Sequence, residues 1–144
     1  MHIDGPVTVP SAFSSPVVFA TDPIYRMAAY RMALQLSRSA WGDAVRLDKC
    51  SITRRVAVQL YTASGSIRAN LSEGYSRASG ADRARLFEYA LGSARESRDW
   101  YDLARPILGD QVVDDRDAVL VKIVHILLAV IPRERRRRIT RADA

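Results

Sequence analysis

The sequence predicts an all-α protein folded as an antiparallel up-down-up-down four-helix bundle. Four stretches have apolar residues at intervals of three and four, which is the spacing that places side chains on one helix face. The links between these stretches are short, and short links favour antiparallel neighbours. No stretch shows the alternation of apolar and polar residues that is typical of strands. With 144 residues, the chain is long enough to bury a core of its own.

We expect three regions along the chain. They are an irregular N-terminal arm at residues 1–21, the bundle at residues 22–131 and an Arg-rich C-terminal tail at residues 132–144. The arm contains several prolines, which break helices, but it is richer in apolar residues than disordered segments usually are. It is therefore either mobile or laid along a neighbouring surface.

The first two helices are bounded by capping and stop signals. Asp22 can cap the first helix, Pro23 suits its first position, and the helix is predicted to end near Gly42. The second helix is predicted to begin after Ser51 and to end at Gly74, where a left-handed stop residue belongs.

The third and fourth helices have equally clear starts. Ser79 can cap the third helix with Asp82 reaching back, and we expect this helix to end near residues 106–109. The fourth helix is predicted to open in the acidic cluster at residues 114–117 and to end or kink at Pro132, with the Arg-rich stretch beyond continuing as a short helix. It is apolar on most of its circumference, so we expect it to contact both the bundle and a second copy of the protein.

The net charge of +6 comes from 22 Lys and Arg against 16 Asp and Glu. Six arginines but only two acids lie from Pro132 onward, so the tail has most of the excess. A basic tail attracts phosphate backbones or acidic surfaces in a salt-dependent way. The chain has one cysteine, no stretch long enough to span a bilayer and no signal-peptide pattern, so we expect a cytoplasmic protein that makes no membrane contact.

Enzymatic motifs are missing from the sequence. There is no P-loop, Gly-rich dinucleotide loop, zinc-type Cys/His cluster or nucleophile elbow, so we expect neither an enzyme nor a cofactor. Glu73 and Glu96 could form an acid/base or metal pair, but metal sites in bundles usually add Glu-x-x-His motifs. The only histidines, His2 and His125, do not supply one. We therefore interpret both glutamates as partners of arginines or as helix caps, and expect no metal.

Small residues line the centres of the second and third helices. Glycine inside a helix costs about 1 kcal/mol relative to alanine, so its presence indicates that the two backbones approach closely. The residues are Ala63, Ser64, Gly65 and Ser66 on one helix and Ala90, Gly92, Ser93 and Ala94 on the other.

The segment 59–96 resembles a bacterial family of four-helix bundles whose founding members are encoded by intervening sequences inside large-subunit ribosomal RNA genes. The family pattern is roughly S-I-x-x-N-[ILV]-x-E-G-x-x-R, a short loop with serine, and A-x-G-S-x-x-E. It is matched without gaps by Ser66, Ile67, Asn70, Leu71, Glu73, Gly74, Arg77, Ser79, Ala90, Gly92, Ser93 and Glu96. Looser similarity extends from Tyr25 to about Ile131, and Leu71-Ser72 departs mildly from the commoner Ile-Ala.

This resemblance implies an antiparallel four-helix bundle, a cytoplasmic location, a ring-like homo-pentamer and no known enzyme activity. The family is similar in fold to the accessory protein of diversity-generating retroelements, a basic pentameric barrel that binds nucleic acid and reverse transcriptase. The resemblance thus implies association with nucleic acid or a ribonucleoprotein.

The predicted function is binding of RNA or DNA through Arg-rich surfaces, alongside a possible protein partner. Arginine suits phosphate because its planar guanidinium donates two hydrogen bonds at once. The residues predicted to contact nucleic acid are Arg77, Arg133, Arg135, Arg136, Arg137 and Arg138. The alternative is a protein-interaction scaffold in which the tail only aids solubility. Several aromatic residues could stack on bases, but their helical spacing favours core or subunit contacts instead: Tyr61, Tyr75, Tyr89, Trp100 and Tyr101.

Overall fold

The computed structural model describes residues 21–137, and these residues contain four long helices and no strand. A 3-10 turn at Pro23–Arg26 precedes α1, and a short helix, α4, precedes the last long one. The elements are α1 (Ala28–Asp48), α2 (Arg54–Tyr75), α3 (Gly80–Leu103), α4 (Arg105–Leu108) and α5 (Asp110–Arg136). The predicted all-α class is confirmed. The N-terminal arm up to residue 20, with His2, lies outside the described residues, as does the chain from Arg138 onward.

The core lies where the apolar faces of the four long helices meet. The α2 helix packs against α1 and α3, and α5 packs against α3 and α1. Their fully buried side chains recur at intervals of three, four or seven, as predicted for one buried face per helix. These include Leu60, Ile67 and Leu71 of α2, Tyr101 of α3, and Leu120, Ile123 and Leu127 of α5.

The predicted caps at Asp22 and Ser79 are both present. The Asp22 carboxylate accepts a hydrogen bond from the Ile24 amide at 3.0 Å, but it caps the 3-10 turn, and α1 begins only at Ala28. The Ser79 hydroxyl accepts a hydrogen bond from the Asp82 amide at 3.0 Å and donates to the Asp82 carboxylate at 2.9 Å. This reciprocal cap fixes the start of α3.

Neither glycine predicted to end a helix is a left-handed stop, although α2 does end at Tyr75, one residue beyond Gly74. The α1 helix continues beyond Gly42 to Asp48, because Leu47 extends its apolar face into the core. Gly74 lies inside α2, where an added Cβ would come 2.8 Å from the Phe87 ring, so its role is close packing against α3. Among the described residues only Gly109, between α4 and α5, has a positive φ, of 85°.

The last helix is longer than predicted at both ends. It begins at Asp110 rather than in the 114–117 cluster, and it continues through Pro132 to Arg136. Proline removes one helical hydrogen bond and usually ends or bends a helix. Here the last helical turn, after Pro132, packs against Gly80 at the start of α3. The first residues of the predicted tail, up to Arg136, are therefore helical.

None of the described helices combines the length and hydropathy required to cross a bilayer.

Candidate nucleic-acid interface

The predicted nucleic-acid-binding arginines of the C-terminal stretch lie at the end of α5. Arg133, Arg135, Arg136 and Arg137 are all exposed. Arg135 pairs with Glu88 of α3, whereas neither Arg133 nor Arg136 pairs with an acid in the described part of the chain. Arg138 lies outside that part. Two guanidinium groups at this end are thus without a protein carboxylate among residues 21–137.

The α2–α3 turn meets the end of α5. A Cβ on Gly80 would lie 2.8 Å from the carbonyl oxygen of Arg137 and closer still to that of Glu134, so only glycine allows this approach. Arg83 donates a hydrogen bond to the carbonyl oxygen of Arg77 at 2.7 Å, and its Nη1 lies 4.0 Å from a carboxylate oxygen of Glu134. Arg77 is therefore brought to the same end of the molecule as the arginines of α5.

We call this surface the basic end. It contains seven arginines and four acids, so it has an excess of positive charge. The arginines are Arg77, Arg83, Arg85, Arg133, Arg135, Arg136 and Arg137, and the acids are Glu73, Asp82, Glu88 and Glu134. Phosphate groups would find several guanidinium donors at this end of the molecule.

The motif residues of α2 and its turn have structural contacts. The Asn70 amide donates to the Ser66 carbonyl at 2.9 Å, which returns the side chain to its own helix. Glu73 forms an ion pair with Arg77 one turn later. Together with the packing of Gly74 and the Ser79 cap, these contacts shape the α2–α3 turn.

The predicted close approach of small residues is only partly correct. Ala63, Ser64, Ala90 and Ala94 are buried, but Gly65 and Gly92 have open space where a Cβ would be. These two glycines lie away from the contact between α2 and α3, because the 3.6-residue repeat places them on other faces of their helices than the buried alanines. Ser93 uses its carbonyl oxygen to accept the Ser97 hydroxyl at 2.8 Å.

The glutamates behave as ordinary surface carboxylates. Glu96 is exposed and accepts a hydrogen bond from the Trp100 indole at 3.1 Å, while Glu73 is bound to Arg77. His125 is exposed on α5. Across the described range, no three His, Cys, Asp or Glu side chains are grouped as metal ligands would be.

A buried polar cluster that sequence reasoning missed joins α1, α3 and α5. The Tyr101 hydroxyl donates to Asp43 Oδ2 at 2.9 Å, and Arg116 donates to both Asp43 oxygens at 2.8 and 3.3 Å. Burial and the adjacent Asp43 carboxylate raise the pKa of Tyr101. The hydrogen bonds that Arg116 donates to Asp43 raise the pKa of Arg116. The cluster holds three helices in register rather than facing a ligand.

A second missed feature is a groove between α1 and α2. Its side chains include Tyr30, Arg38, Trp41, Tyr61 and Arg68. Tyr61 is exposed here and Tyr89 is exposed on α3, whereas Tyr101 is in the core and Tyr75 and Trp100 pack against it. The expectation of core or subunit contacts is thus correct for Tyr101, Tyr75 and Trp100. The sequence contains each half of the groove as a helical pair of an aromatic residue and an arginine. Trp41 follows Arg38 by three residues on α1, and Tyr61 and Arg68 are two turns apart on α2.

Comparison with known proteins agrees with the motif. No curated protein and no solved structure was found to match the chain. The family model described as 23S rRNA-intervening sequence protein matches residues 25–109. This range is more than half of the chain and includes the whole Ser66–Glu96 motif, so the chain belongs to the 23S rRNA-intervening sequence protein family.

Proposed function

We propose that this protein is a non-enzymatic antiparallel four-helix bundle that assembles with copies of itself and binds nucleic acid through the basic end. The observation on which this rests is the placement of Arg77 at the same end of the molecule as the arginines that end α5. Two of those arginines have no acidic partner among the described residues. Arginine forks bind phosphate without reading sequence, so we expect salt-sensitive binding with little sequence preference.

Contacts between helices support the antiparallel arrangement. Arg83, near the start of α3, approaches Glu134 near the end of α5. Arg98, late in α3, pairs with Asp117, early in α5, at 2.6 Å. Helix pairs whose starts meet each other's ends run in opposite directions.

Self-association is supported by apolar surface on α5. Leu128 is 48% exposed on a helix that already buries its other face in the core. A second copy would cover this surface, and a ring of five is the assembly that the family resemblance implies. Several copies of the basic end in one particle would strengthen binding to a long polyanion through avidity.

The alternative function is a protein-interaction scaffold with no role in nucleic-acid binding. The same exposed Leu128 favours it, because an apolar surface serves a protein partner as well as a second copy. It predicts a stable oligomer that is indifferent to RNA and DNA.

The test is binding of labelled 20-nucleotide RNA and DNA by the full-length protein over a salt series, with particle mass measured in the same samples. Removing the chain after Ile131 would also remove the packing of Glu134 and Arg137 on Gly80, so charge substitution is the cleaner change. We compare Arg133→Gln/Arg136→Gln with the matched control Arg55→Gln/Arg95→Gln, whose side chains are also exposed and form no ion pair within residues 21–137.

We expect the α5 pair to weaken binding and to reduce the slope of log affinity against log salt by about 1.4, because each lost phosphate contact on a single strand removes about 0.7. The control pair should keep the original slope. If the full-length protein binds neither RNA nor DNA at low salt yet remains an oligomer, the scaffold function replaces this proposal.

A further inference from the structure

The groove between α1 and α2 has the shape and size of a ligand site. Its volume is about 570 Å³, and it is open to solvent along one side. We call it the aromatic groove and define it by Tyr30, Arg38, Trp41, Tyr61 and Arg68. Ligand pockets commonly have volumes of about 300–1,000 Å³ and combine apolar walls with a few polar groups.

Two aromatic rings form a platform in this groove. Trp41 and Tyr61 meet edge to face, with ring centroids 5.6 Å apart, and they are 45% and 43% exposed. Gly65, one turn beyond Tyr61, has no atom within 4 Å of the place where a Cβ would be. Both rings and Gly65 line the same open groove, so a flat ligand such as a nucleobase can enter beside the rings.

The charged side chains that residues 21–137 place in the groove are two arginines. Arg68 donates to the Tyr30 hydroxyl at 3.4 Å, and its guanidinium lies 5.9 Å from the Tyr30 ring centroid. These contacts use one of its N–H groups and leave the others available. Arg38 is exposed and forms no ion pair within residues 21–137. Among residues 21–137 no acid lines the groove, so this part of the surface favours an anion next to a stacked ring.

The aromatic groove continues towards the basic end. A second depression, lined by Ala69, Ser72, Glu73, Ser76 and Arg77, shares Ala69 and Ser72 with the groove. Its one acid from the described part of the chain, Glu73, is paired with Arg77. From Tyr61 the surface follows α2 and then the turn after it to Arg77, a path of about 24 Å at 1.5 Å per residue. This length corresponds to about seven nucleotides at the 3.4 Å spacing of a stacked strand.

We propose that the aromatic groove binds single-stranded nucleic acid, with bases stacked on Trp41 and Tyr61, phosphates on Arg38 and Arg68, and the strand leading to Arg77 at the basic end. This inference rests on the proposed function and gives it a path and a preference for single strands. Stacking on aromatic rings combined with a basic track is the usual mode of sequence-tolerant single-strand binding.

The test uses the full-length protein and a labelled 12-nucleotide oligouridine. We expect Trp41→Leu and Tyr61→Leu each to weaken binding about tenfold, because each removes a stacking surface. Tyr89→Leu removes an equally exposed ring outside the groove and should bind like the unchanged protein. Arg38→Gln should weaken binding more than Arg95→Gln, which lowers the net charge by the same amount.

A direct readout comes from the indole of Trp41. In the Trp100→Phe background it is the only tryptophan, since the chain has two, and oligouridine should quench its fluorescence. Uridine monophosphate alone should bind much more weakly than the 12-mer, because it cannot also reach Arg77. If the monophosphate binds as tightly as the 12-mer, the strand proposal is overturned in favour of a nucleotide site.

Three other results would also overturn the proposal. If Trp41→Leu and Tyr61→Leu bind as Tyr89→Leu does while Arg133→Gln/Arg136→Gln loses affinity, the groove is rejected and the basic end is kept. If both groove variants instead lower the particle mass, a second copy of the chain covers the groove. If the unchanged protein binds no oligouridine at low salt, the groove proposal fails; the proposed function fails with it only if the 20-nucleotide RNA and DNA are not bound either.

Discussion

Replacing Asp43 by alanine should destabilise the protein more than any other single removal of a carboxylate described above. Asp43 is 4% exposed and accepts hydrogen bonds from Tyr101 and from both sides of the Arg116 fork. Without it, the fully buried Tyr101 hydroxyl has no partner, which costs about 1–3 kcal/mol. Arg116 is partly exposed, so water can replace Asp43 as its hydrogen-bond partner, and losing this ion pair adds only about 1 kcal/mol.

The expected cost of Asp43→Ala is therefore about 3 kcal/mol, a large share of a typical unfolding free energy of about 5–15 kcal/mol. Tyr101→Phe should cost about 1 kcal/mol, because Asp43 keeps its two bonds to Arg116. The double variant should cost about 1–2 kcal/mol less than the sum, since no hydroxyl is then left without a partner.

The assay is urea unfolding at neutral pH followed by circular dichroism at constant protein concentration. Asp99→Ala, which removes an exposed carboxylate, is the matched control and should stay within about 0.5 kcal/mol. A cost below about 1 kcal/mol for Asp43→Ala, or simple additivity of the two changes, would refute the view that this cluster is a tightly coupled support for three helices.

Three further predictions test the packing and the titration of the protein. Gly74→Ala should lower the free energy of unfolding in urea by about 1–3 kcal/mol, because its Cβ would be 2.8 Å from Phe87. Gly92→Ala places its Cβ in open space within a helix, so it should raise the free energy of unfolding by up to about 1 kcal/mol. If Gly92→Ala were the more destabilising of the two, the packing described for these glycines would be contradicted. Gly80→Ala should push the end of α5 away from α3 and weaken oligonucleotide binding at unchanged net charge; equal affinity would show that this contact does not position the arginines. The pKa of Tyr101 is raised above its ordinary 10.0 in the folded state. The neutral hydroxyl therefore contributes fully to the free energy of unfolding below about pH 10, and this contribution is lost as the pH rises above about 10. The stability advantage over Tyr101→Phe should therefore fall by about 1.4 kcal/mol per pH unit above pH 10, and a constant difference would contradict the raised pKa.

Local signals in the sequence predicted the helices well. The Ser79 cap was predicted correctly because its partner, Asp82, lies only three residues away. The apolar faces of α2 and α5 were also visible, since helical periodicity determines which residues share a face. Prediction of the family succeeded for the same reason, because the Ser66–Glu96 motif occupies two consecutive helices.

Glycine was the least reliable signal. Gly42, Gly65, Gly74 and Gly92 were interpreted as stops or as close contacts, yet only Gly74 makes a close contact and none of the four ends a helix. A glycine can end a helix, allow close packing of another helix, or do neither, and which of these occurs depends on the residue that packs against the glycine. That neighbour, such as Phe87 for Gly74, comes from another helix.

Contacts between distant residues could not be predicted from the sequence. Asp43 lies 58 residues from Tyr101 and 73 from Arg116, and no local pattern connects them. The same holds for Trp41 and Tyr61, which come together only when α1 packs on α2. The basic end was half predicted, because the arginine run was visible but its meeting with Arg77 required the turn at Gly80.

The continuation of α5 through Pro132 changes the entropy of binding. A disordered tail would lose about 1–2 kcal/mol per residue of backbone freedom on becoming fixed against a polyanion. For Arg133, Arg135 and Arg136 this loss occurs on folding, so their contacts with phosphate need to order little more than the side chains. Affinity for nucleic acid therefore depends on the stability of the last turn of α5, and a change that frays this turn should weaken binding without removing a charge.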